Sequence, residues 1–131
     1  MADADLRHRV EAVAAPLNLA ATGELTATDP TDTDTWGLPG DPVSVFDWAE
    51  ANALEVYATG RWSPITGRWT ATEWTVVTAF GGPDIRVTVS LTGGGAWVEG
   101  RWGGDTVTVW LTSDAAAELG MLAEESIPPG A

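Results

Sequence analysis

The side chains of this 131-residue chain that could do chemistry are almost all carboxylates: 19 Asp and Glu stand against six arginines and one histidine, with no lysine and no cysteine. Without cysteine there are no thiolate ligands, disulfides or thiol nucleophiles, and one imidazole is too few for a zinc or iron centre. That imidazole, His8, lies between Arg7 and Arg9 and reads as a surface residue on a charged helix face. Ser44, Ser63, Ser90, Ser113 and Ser126 lack the strand-turn-helix setting of a nucleophile elbow. The glycines mark turns and build no strand–glycine loop–helix phosphate cradle. Asp32-Thr33-Asp34-Thr35-Trp36-Gly37 begins like a calcium loop, but Trp36 holds the fifth position and Val43 the twelfth, where oxygen ligands are required. A solvated loop is the simpler reading. Paired carboxylates can serve as acid and base in glycoside hydrolysis, yet no spacing here singles out a pair. No catalytic residue, metal or cofactor is expected, and a non-enzymatic protein is.

Carboxylates in this number suit binding. A formal charge of −13 repels nucleic acid and anionic lipid and attracts basic protein surfaces. A GC-rich genome or a salt-loving host could produce the same composition, but neither dictates where along the chain the charge falls. It falls unevenly. Residues 1–55 carry eleven carboxylates and two arginines, residues 56–112 carry four of each, and residues 113–131 carry four carboxylates and no arginine. Strands disfavour Asp and Glu, which explains the neutral middle but not the missing arginines of the flanks.

The elements that must position these groups follow from periodicity. Leu6, Val10, Val13 and Leu17 share one face of a helix over residues 3–19, which Pro16 should weaken. Residues 21–41, rich in Thr, Asp, Gly and Pro, read as an acidic loop or arm. Asp41 as N-cap and Pro42 at the first helical position open a short helix over 42–53, with Val45, Trp48, Ala49 and Asn52 on one side. From residue 54 to 112 the period becomes two. Leu54, Val56, Ala58 and Trp62 should face inward on a first strand, and Trp74, Val76 and Phe80 on a second. Ile85, Val87, Val89 and Leu91 form the cleanest half-buried strand, and two more follow, separated by the Gly103-Gly104-Asp105 turn. Ser113 caps a last helix over 113–126, with Ala115, Leu119 and Leu122 as its apolar side. The expected fold is a single α+β domain, an antiparallel meander of about five strands with helices packed on one face. No apolar run is long enough to span a bilayer, the N-terminus lacks a signal-peptide pattern, and a cytoplasmic location is expected.

Eight tryptophans is a high number for this length. Trp62, Trp74 and Trp102 fall at core parity, Trp69 and Trp97 are ambiguous, and Trp110 lies opposite Val109 and Leu111. An outward tryptophan could stack on a sugar ring, hold a partner or pack beneath the acidic arm.

The run Val76-Val77-Thr78-Ala79-Phe80-Gly81-Gly82-Pro83-Asp84-Ile85-Arg86-Val87, continued by Ala96 through Gly104, resembles small accessory proteins encoded by phages and plasmids. Some of these have antirestriction or anti-CRISPR roles. The similarity covers about a third of the chain and implies a sheet scaffold of mobile-element origin, with no functional residue to carry over. Charge and resemblance together favour an inhibitor that presents a DNA-mimic-like carboxylate surface to the basic channel of a nucleic-acid-binding defence complex, without touching nucleic acid or membrane itself. Asp29, Asp32, Asp34, Asp41, Asp47 and Glu50 are the first candidate patch, Glu118, Glu124 and Glu125 the second, and Trp110 a candidate contact. The alternatives are a halophilic or high-GC structural protein whose tryptophan-bearing sheet face makes a homodimer, and a carbohydrate-binding or carboxylate-using enzyme domain.

Overall fold

The computed structural model describes residues 3–27 and 40–127. Element order is α1 (Asp3–Ala21), α2 (Val45–Asn52), β1 (Glu55–Ser63), β2 (Arg68–Ala79), β3 (Asp84–Ser90), β4 (Ala96–Trp102), β5 (Asp105–Trp110) and α3 (Ser113–Ser126). The strands form one antiparallel sheet in the order β1-β2-β3-β4-β5, so every connection is a hairpin. The expected α+β meander is the observed fold.

The helices cover only part of one sheet face. α1 lies on β4 and β5, α3 lies on β3 and β4, and α2 is wedged against α1 and α3. Leu6, Val10, Ala14 and Leu17 of α1 are buried there against Val87, Val98 and Val107, with Val13 half-buried at the margin. α1 approaches the sheet at Gly100, where a Cβ would overlap Val10 Cγ2 and crowd Leu6. α1 also runs through Pro16 to Ala21 instead of weakening there. Burial of Leu17 and Ala20 outweighs the one hydrogen bond that proline removes. Asn18 then ties the two ends of the chain together, its side-chain oxygen accepting the Thr112 N–H at 2.9 Å.

Both expected helix caps are displaced by one feature or another. Asp41 does not open α2, because its carbonyl accepts the Ala27 N–H at 2.8 Å and Pro42 pairs with Thr26 in an isolated antiparallel bridge. Ser44 is the N-cap instead. Its hydroxyl accepts the Asp47 N–H while the Asp47 carboxylate accepts the Ser44 N–H, a reciprocal capping box. At α3 the cap is Thr112, one residue before Ser113, with its hydroxyl accepting from the Ala115 N–H.

Two bulges overturn the inward placement of aromatic residues on the first hairpin. Val77 pairs with Arg86 but Ala79 pairs with Ile85, so Thr78 is an extra residue and the parity flips. Phe80, counted in phase with Trp74 and Val76, is therefore 55% exposed. A second bulge, between Thr59 and Gly60 in the β1–β2 register, precedes the far end of the hairpin. There Trp62 pairs with Trp69 but is 62% exposed, because none of the helix packings described above reaches that end. Leu54 and Val56, also expected inside, are exposed at the other end of β1, which is an edge strand. Trp74 is core as expected, and Trp102 is half-buried against the core beneath the Gly81-Gly82-Pro83 turn. A Cβ on Gly82 would meet the Trp102 ring, so the glycine of that motif serves close packing.

Candidate functional site

The helical layer stops short of the β1 edge of the sheet, and the gap is a trough. Its floor is the inner face of β1 and β2, from Val56, Trp74 and Val76. One wall is α2, through Phe46, Ala49, Glu50 and Ala53, and the other is α3, through Leu122 and Ser126. The main hollow holds about 570 Å³. Smaller hollows continue it at each side: one shares Phe46 and Leu122 and adds Glu118, Met121 and Glu125, and the other shares Trp74 and Val56 and adds Ala58, Trp69 and Ile127.

The sequence builds both walls by helical spacing. Phe46, Ala49, Glu50 and Ala53 stand at i, i+3, i+4 and i+7, so one stripe of α2 and its C-cap faces the trough. Glu118, Met121, Leu122 and Glu125 repeat the spacing on α3. Phe46 is 54% exposed and Val56 is 46% exposed, a large apolar surface for two residues at the edge of a small core. No arginine lines any of the three hollows.

Two of the three carboxylates on these walls, Glu50 and Glu125, sit where a helix least favours them. The C-terminal end of a helix carries the negative end of its dipole, which cations relieve and anions aggravate. Glu124 and Glu125 occupy the last turn of α3, Glu50 the last turn of α2, and neither turn contains a basic residue. Glu50, Glu118, Glu124 and Glu125 are exposed and have no ion-pair partner among the described residues.

The other candidates fall elsewhere. Asp29, Asp32 and Asp34, with the calcium-like segment, lie outside the described residues. Asp41 is exposed at the closure of that loop, and Asp47 is half-buried in the capping box of α2, a structural role. Trp110 is 63% exposed on the opposite, helix-free face of the sheet, tilted against Trp97 with ring centroids 5.2 Å apart. It is not brought together with the carboxylates.

That helix-free face has its own small polar hollow of about 230 Å³, bordered by Tyr57, Glu73, Arg86 and Trp97. Arg86 donates to the Tyr57 hydroxyl at 2.6 Å and, through Nε and Nη2, to both oxygens of Asp84 at 3.3 and 3.0 Å. The bond to Asp84 and then the bond to Tyr57 push the guanidinium still further above its ordinary range, so it stays charged. Arg101 is likewise held by Glu99 at 2.7 Å, and the Thr75 and Thr88 hydroxyls bond each other at 3.0 Å. The polar groups of this face are largely satisfied by one another. Sequence parity places Tyr57, Arg86 and Thr88 outward, but the Arg86 network depends on cross-strand register, which parity does not give.

Among the described residues no three His, Asp or Glu converge as a metal site would require, and no helix is long and apolar enough to cross a membrane. The molecule is thus an α+β protein whose helical layer is incomplete at the β1 edge. Compared with known protein families, curated proteins and solved structures, the chain matches none.

Proposed function

We propose that this protein acts by binding, and that its partner is a basic protein surface that otherwise holds nucleic acid. The observation that carries the reading is the placement of Glu50 and Glu125 in helix C-terminal turns beside an apolar trough, with Glu124 in the same last turn as Glu125 and Glu118 two helical turns before it. Carboxylates placed against the helix dipole lower the stability of the free protein. A basic partner converts that cost into affinity, since it relieves the dipole and the carboxylate repulsion together. Among the described residues the carboxylate patch that suits such a partner is on α2 and α3, and the phage and plasmid resemblance makes a nucleic-acid-binding defence complex the natural candidate partner. The paired arginines of the helix-free sheet face supply no comparable unsatisfied charge.

The test is competition. Nuclease-treated partner recovered on the immobilised protein should be displaced by duplex DNA, and its binding should weaken steeply from about 50 to about 200 mM salt, as phosphate-like contacts do. A partner that DNA leaves in place, bound equally at both salt concentrations, would contradict the reading.

A further inference from the structure

We infer that the trough takes an amphipathic helix with basic flanks, which extends the helical layer to the β1 edge of the sheet. This rests on the proposed binding to a basic partner and names the element of that partner. α1 and α3 cover β3, β4 and β5, and Trp74 and Val76 of β2 are already buried, so the opening lies along the edge strand β1, where Val56 stays exposed between α2 and α3. The floor and walls supply apolar surface for the helix's buried stripe, in Phe46, Val56 and Leu122. Glu50 stands on one wall, with Glu118 and Glu125 on the other, so the flanking positions of the incoming helix must be Arg or Lys. A second copy of this chain is the wrong occupant on charge, since it would set one acidic rim against another at a net −13 for each chain. The recognition helices that nucleic-acid-binding proteins lay into a DNA groove have basic flanks of this kind.

The experiment uses two peptides of about 18 residues, above the length at which isolated helices hold. Both contain the same leucines and arginines. One places leucine at i, i+3, i+4 and i+7, and the other scrambles the stripe. Calorimetry with the whole protein should show the striped peptide binding at least about tenfold tighter, the effect of one good apolar anchor. The double variant Phe46→Ala, Val56→Thr should erase that difference and leave the scrambled peptide unchanged. Both side chains are about half exposed, so the fold tolerates the change, and far-UV circular dichroism checks it. Equal binding of both peptides, weakened by Glu→Gln changes at the rim, would overturn the helix-in-trough inference and leave the acidic-surface reading standing. Striped-peptide binding that ignores the double variant would overturn it too, as would a dimer of this chain that the variant dissolves. If neither peptide binds, the inference fails, and the DNA-displacement assay then decides the broader reading.

Discussion

Changing Glu50, Glu118, Glu124 and Glu125 together to glutamine is expected to weaken binding to a basic partner by about 10- to 100-fold at low salt while raising thermal stability. Each exposed ion pair contributes about 0.2–1 kcal/mol, so four reach the range of one to two decades. The opposite sign for stability follows from where the charges sit. Three of the four lie in helix last turns that lack a basic residue, and each anion there opposes the dipole by about 0.3–1 kcal/mol. Removing them should raise the unfolding midpoint by several degrees, since 1 kcal/mol moves a domain of this size by about 3–6 °C. Side by side, calorimetric binding and scanning unfolding of one variant separate a functional patch from a merely compositional one. Stability gained with affinity intact would mark the acidity as a property of the host. Loss of both would mean that the glutamates hold the fold.

The second large effect is in the core. Leu6→Ala should cost about 3–5 kcal/mol, in the upper part of the range for leucine truncation, because the void has nothing beside it that can fill it. Leu6 is 1% exposed and sits over Gly100, which has no side chain to move into the space, with Val10 already closed down on the same glycine. The close approach that anchors α1 also prevents relaxation. Chemical unfolding of the variant should show a lower midpoint with an unchanged slope. A loss below about 1 kcal/mol would mean that α1 sits less tightly on β4 than the geometry at Gly100 requires.

The fold was legible in the sequence because its signals are local and repeated. Period-two runs ending in Gly-Gly-Pro, Gly-Gly-Gly and Gly-Gly-Asp set five strands into hairpins, and the buried stripe Leu6, Val10, Leu17 set α1 over them. What parity could not show was the bulges. A single extra residue at Thr78 turns Phe80 to solvent, and no feature of the residue types announces it. Asp41-Pro42 is a sound helix start in isolation, and only the pairing of residues 25–27 with 40–43 withdraws it.

The candidate site was legible in its charges and hidden in its floor. Glu50, Glu118 and Glu125 stand out as carboxylates without arginines nearby in sequence. The trough between them arises from a coverage deficit: α1, α2 and α3 cannot span five strands, so Val56, assigned to the core by alternation, is left at an open margin. The Phe46, Ala49, Glu50, Ala53 spacing carried that information, masked by the buried stripe Val45, Trp48, Ala49 one step round the same helix.

We place binding on the incomplete helical layer and not on the helix-free sheet face. Titration of isotopically labelled protein with the striped arginine–leucine peptide, followed by amide chemical shifts, tests it most directly. Shifts are expected to concentrate at Phe46, Glu50, Val56, Leu122 and Glu125, with Thr88, Trp97 and Trp110 on the far side of the sheet unmoved. Shifts centred on Trp97 and Trp110, with the trough residues silent, would contradict the account.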